Sequence, residues 1–102
     1  MTGQGNGQPS AYSVHMSAGT KSVVKTLHQQ AIQAGIGREY LAAFRQIIAR
    51  LSQDPLTFGE PLYRLPALRM LVRQAAVLPL VVDFAVHEDR RLVFIRGFKV
   101  LS

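Results

Sequence analysis

The chain has 102 residues, with twelve Lys and Arg against six Asp and Glu for a formal net charge of +6, and 48% of its residues are hydrophobic. That length fits one small domain. The lack of cysteine excludes disulfides, thiolate nucleophiles and thiolate metal ligands, and no apolar run reaches the roughly 18 residues of a membrane span.

Residues 1–10, "MTGQGNGQPS", carry no charge and nothing to bury, and read as a flexible lead-in to a single domain over residues 11–102. The start lacks the basic and apolar blocks of a secretory signal, so a cytoplasmic protein is expected. In "AYSVHMS", Tyr12, Val14 and Met16 alternate with Ser13, His15 and Ser17, the period of a half-buried strand. Thr20 is placed to cap a helix whose apolar face takes Val23, Val24, Leu27, Ala31 and Ile32 and which stops at Gly35. After "GIG", the run 38–55 sets Tyr40, Leu41, Phe44, Ile47, Ile48 and Leu51 at helical spacing, and Pro55 ends it by disfavouring helical geometry at Asp54. So short a joint predicts an antiparallel helical hairpin.

The turn-rich "LTFGEPLYRLP" precedes three β-branched and aromatic runs, "ALRMLVRQAAV", "LPLVVDFAV" and "RRLVFIRGFKV". These predict a three-stranded antiparallel meander with turns near Leu78 and Pro79 and at "HEDR". The expected fold class is therefore α+β: an N-terminal strand, a helical hairpin, then the meander, with the helices packed on one face of the sheet.

Alternation puts Leu80, Val82, Phe84 and Val86 on the core face of the middle strand and Asp83 and His87 on the other. In the first run, Leu68, Met70 and Val72 face one way and Arg69 and Arg73 the other. The last strand has two registers. A two-residue turn at Asp89 and Arg90 sets Asp83 across from Arg96 on the open face, beside Phe94 and Phe98. A three-residue loop brings Phe84 opposite Phe94 in the core and turns Arg96 inward. The first is preferred because it keeps an unpaired arginine out of the core. It predicts an open face carrying Arg69, Arg73, Arg96, Phe94, Phe98 and Lys99, suited to phosphate contact and base stacking, or equally to an amphipathic partner helix.

Ten of the twelve cations lie C-terminal to residue 37, a balance that favours polyanions or an acidic protein partner as well as plain solubility. His15, His28 and His87 lack metal-ligand spacing, so no metal and no cofactor are expected. No Gly-rich phosphate loop and no nucleophile elbow occur. Arginine is a poor proton donor near neutral pH, which leaves His87 as the nearby group able to act as an acid, against its reading as an exposed turn residue; Tyr63 is read as a packing residue.

The strings "AYSVHMSAGTKSVVKTL", "ARLSQDP", "GEPLYRLPALRMLVRQ" and "FAVHEDRRLVFIRGF" resemble the RelE/ParE superfamily of bacterial type II toxins over about residues 11–100. The resemblance implies a toxin neutralised by a small cognate antitoxin; from the lack of an apolar span, no membrane partner is expected. RelE-like members cut messenger RNA on the ribosome with basic residues on the sheet, whereas ParE-like members poison DNA gyrase without them. Carried over by position, the RelE basic set matches Arg69 and, nearby, Arg73, with Arg96 and Lys99 as approximate substitutes. The arginine expected at the start of the middle strand is replaced by Leu80 and Val81. The expected function is thus a toxin acting on messenger RNA or on gyrase, an endoribonuclease if it is an enzyme; the alternative is a catalytically inactive, toxin-derived module that binds protein or nucleic acid.

Overall fold

In a computed structural model, residues 11–101 are described, and the flexible segment expected at residues 1–10 lies outside them. The elements are β1 (Ser13–Met16), α1 (Ala18–Gln33), α2 (Gly37–Gln53), β2 (Glu60–Leu65), β3 (Met70–Val77), β4 (Leu80–His87) and β5 (Leu92–Val100), with single 3-10 turns at Pro55–Thr57 and Pro66–Leu68. The fold is α+β, with both helices on one face of a mixed sheet. That sheet has five strands, in the order β1-β5-β4-β3-β2, rather than a three-stranded meander beside a separate strand. β1 pairs with β5 in parallel, and "EPLYRL" forms the far edge, antiparallel to β3. Pro61 is compatible with strand structure there because it lies at an edge.

The helical hairpin is fixed at both ends. Ser17, not Thr20, caps α1: its Oγ accepts the Thr20 amide at 3.1 Å. At the other end Gly35 takes φ +81°, and the amides of Gly35 and Ile36 donate to the carbonyls of Ile32 and Ala31. This double closure needs a left-handed residue after the cap, which glycine adopts without a steric penalty. Tyr40, 1% exposed, then ties the helices together by donating its hydroxyl to the Val24 carbonyl at 2.8 Å, and burial raises its pKa. Val23 and Ile32, expected on the buried face, are 44% and 57% exposed. Ile32 instead lies over Gly37, where a Cβ would come within 2.9 Å of its Cγ1.

Between the helices and the sheet, Ile47 and Leu51 of α2 and Leu80, Val82, Phe84, Val86 and Val93 of the strands are almost fully buried. Each such side chain contributes about 1.5–3 kcal/mol on leaving water. The register of β4 and β5 decides what joins them. Val86 pairs with Val93, Ala85 with Phe94 and Phe84 with Ile95, the register of a two-residue turn; beyond this a bulge intervenes, and Asp83 pairs with Gly97 and Val82 with Phe98. Arg96 is the extra residue. An inserted residue reverses the facing of everything after it, so Phe94 stays on the open face while Phe98 turns inward, its ring centroid 5.6 Å from that of Phe44. The placement of Phe98 on the open face is therefore corrected.

Phe98→Ala is expected to cost about 3 kcal/mol as a core truncation, and Phe94→Ala about 1 kcal/mol as loss of an exposed ring contact. Urea denaturation of the two variants checks the difference, and equal losses would contradict the bulge.

Candidate functional site

The face of the sheet away from the helices carries a row across all five strands: His15, Phe94, Ala85, Val72 and Tyr63. Its four strand spacings span about 19 Å. The rings of His15 and Phe94 stack at 5.4 Å at one end. Ala85 and Val72, 2% and 1% exposed, form the floor.

At the other end Arg96, pushed out by the bulge, donates from Nη1 to the Tyr63 hydroxyl at 2.8 Å. The two share a cleft of about 220 Å³ with Leu62, Val72 and Asp83. Asp83 was expected to pair with Arg96. Its Oδ1 instead accepts the Gln74 side-chain amide at 2.7 Å, because Gly97 is its cross-strand neighbour, and no ion pair joins it to Arg96. Beyond Gln74 a second cleft, of about 280 Å³, is lined by Glu60, Val81, Lys99 and Leu101 among others.

The remaining candidates do not join the Arg96 cleft: His87 shares the face, opposite Met70, but at its turn end. Arg73 pairs with Phe84 across the strands and so points toward the helices. It is 7% exposed, its Nε donating to the Phe58 carbonyl at 3.1 Å and its Nη2 to that of Gly59 at 3.0 Å. The sequence reading had the strand's alternation right and its inward side wrong: Met70 and Val72 face outward. Gly59, at φ +71°, brings its own carbonyl into reach, and a Cβ there would lie 2.1 Å from the Gln74 oxygen.

Arg69 stands before β3 in the left-handed region, φ 54°. Both its Nε and its Nη2 engage the Asp89 carboxylate, the latter at 2.9 Å. This hydrogen-bonded pairing raises the Arg69 pKa and lowers that of Asp89. Arg64 pairs with Glu88 alongside. His87 closes the turn, its Nδ1 accepting the amides of Asp89 and Arg90 at 3.1 and 3.2 Å. An imidazole nitrogen that accepts cannot at the same time hold the proton of a general acid.

Of the three arginines expected on the open face, then, only Arg96 lies there, joined by Phe94 and Lys99 but not by Phe98. The sequence reading assigned no role at the site to Gln74 and treated Tyr63 as packing; the signal for Tyr63 was a strand-like "PLYRL" hidden by its flanking Gly59 and Pro61. Local charge on the face is nearly balanced, Arg96 and Lys99 facing Asp83 and Glu60. Lys21, Lys25, Arg38 and Arg45 are exposed on the helices instead. Among the described residues no group of His, Asp and Glu could hold a metal ion. The chain matches no family model and no curated protein.

Arg73→Ala is expected to cost about 3 kcal/mol, since it leaves two enclosed carbonyls without their charged donor, and chemical denaturation measures this. For Asp89 the sign follows from its lowered pKa: the stabilising effect of the pair is present above the ordinary carboxylate range and is lost as pH falls through the depressed value. Arg69→Ala should raise the Asp89 pKa toward that ordinary range in a carboxyl-carbon NMR titration.

Proposed function

We propose that the chain is a RelE/ParE-type toxin component, held silent by a small antitoxin protein in the cytoplasm, that acts by binding a target such as DNA gyrase rather than by cleaving RNA. The observation that carries this reading is the dispersal of the basic set. Arg73 is inward, Arg69 is engaged by Asp89, and His87 is committed to its turn.

Cleavage by a 2′-hydroxyl requires converging charge at the phosphorane and a proton donor for the leaving oxygen. The open face offers Arg96 and the Tyr63 hydroxyl for the first. For the second the cleft has that same phenol, which already accepts from Arg96, while the imidazoles of His15 and His87 lie elsewhere on the face. A nearly charge-balanced sheet face with exposed Tyr63, Phe94 and Leu62 suits a protein surface better than a phosphate backbone, which is gripped by several cations together. The resemblance in sequence, together with a helical hairpin on one face of the sheet and β1 beside the last strand, supports the toxin assignment.

Induction of the protein alone in bacteria is expected to arrest growth without new transcript ends. Extracts should show inhibited DNA supercoiling, and Tyr63→Ala with Arg96→Ala should relieve the arrest. New transcript ends that vanish in the double variant would replace this reading with ribonuclease action.

A further inference from the structure

The cleft between Arg96 and Asp83 has a chemistry of its own. One side supplies a guanidinium with N–H groups to spare, since a single bond to Tyr63 occupies only part of it. The other supplies a half-buried carboxylate oriented by Gln74, which donates to Oδ1 and leaves Oδ2 and the second lone pair of Oδ1 to accept. Acid and base line one cleft without forming an ion pair, so a ligand inserted between them can meet both. The floor is the apolar Val72, and Tyr63 and Leu62 complete the walls. The volume, about 220 Å³, is below the roughly 300–1,000 Å³ of pockets that enclose drug-sized molecules, and suits one flat ring system.

We propose that this cleft binds a guanine ring. Guanine alone among the common bases presents two adjacent N–H donors, at N1 and N2, which match a carboxylate. On the adjoining edge O6 and N7 accept, and they are the acceptors that arginine reads most often. In this arrangement Asp83 takes the N1 and N2 edge, Arg96 takes O6 and N7, and one face of the ring lies against the Tyr63 ring, the mode by which unstacked bases are held. Adenine would set its N1 acceptor against the Asp83 carboxylate, leaving a repulsive contact. The inference uses only the cleft and does not depend on the toxin reading. Its ligand is either a free guanine nucleotide or a guanine within a single strand.

The test is amide NMR titration of the full chain with the four nucleoside monophosphates. GMP should shift the signals of Val72, Asp83 and Arg96 and bind at least tenfold more tightly than AMP, CMP or UMP. Asp83→Asn, nearly isosteric and checked for folding by its amide dispersion, should abolish the preference for guanine, and Arg96→Ala should abolish binding. Equal response to the four bases, shifts confined to other surfaces, or an unchanged preference in folded Asp83→Asn would overturn the proposal. A second arm compares GMP with a single-stranded RNA pentamer of uridines carrying one guanosine. Tenfold tighter binding of the pentamer assigns the site to a strand, and equal affinity assigns it to the free nucleotide, with the guanine site standing in either case.

Discussion

One inserted residue in β5 sets both the core and the open face. The apolar side chains of that strand, at Val93, Ile95, Phe98 and Val100, do not keep a period of two: the middle spacing is three. A regular strand could bury one pair and would expose the other. The bulge between Phe84 and Asp83 of the partner strand lets both pairs lie under the helices, and the residue left over is Arg96. Packing of the hydrophobic side thus expels a cation onto the polar side, next to a glycine where nothing crowds the surface. Core and cleft are two outcomes of a single register change.

A second constraint holds the far wall. Arg73 is enclosed on the helix side, where an unsolvated charge would be costly, and the carbonyls of Phe58 and Gly59 take its donors. Those carbonyls belong to the segment that leads into β2. The arginine therefore fixes where the edge strand begins, and through it the position of Tyr63 opposite Arg96. Arg50 lies over the Phe58 ring at 4.7 Å, adding a further tie from α2. A residue that resembles a surface phosphate contact in sequence is instead part of the scaffold that positions the edge strand.

The helical hairpin was largely legible in the sequence because its periodicity extends over long segments and its stops are chemically explicit: Gly35, then Pro55. The strands were legible as elements but not in their facing. "MLVRQAAV" has apolar residues on both sides, and the assumption that an arginine must face water inverted it; backbone carbonyls nearby, which no local pattern reveals, made the opposite facing tolerable. The β5 bulge was similarly hidden, since either unbroken register satisfied half of the strand. β2 was missed because Gly59 and Pro61 signal a turn, whereas here the glycine allows a close approach to β3 and the proline sits on an edge. Of the candidate site, Arg96, Phe94, Lys99 and Asp83 were placed on the correct face. The pairing of Asp83 with Gln74 and the engagement of Arg69 by Asp89 depend on neighbours distant in sequence.

The parallel pairing of β1 with β5 has a temporal consequence. Strands at opposite ends of the described chain are neighbours in the sheet, while the hairpin and the antiparallel strands between them make mostly local contacts. During synthesis the helices and β2 to β4 can assemble as the chain emerges, but β1 has no ladder to join until β5 has left the ribosome. Val14 and Met16 can meet α2 before then, but the ladder that fixes their register forms only with β5, the last of the described strands.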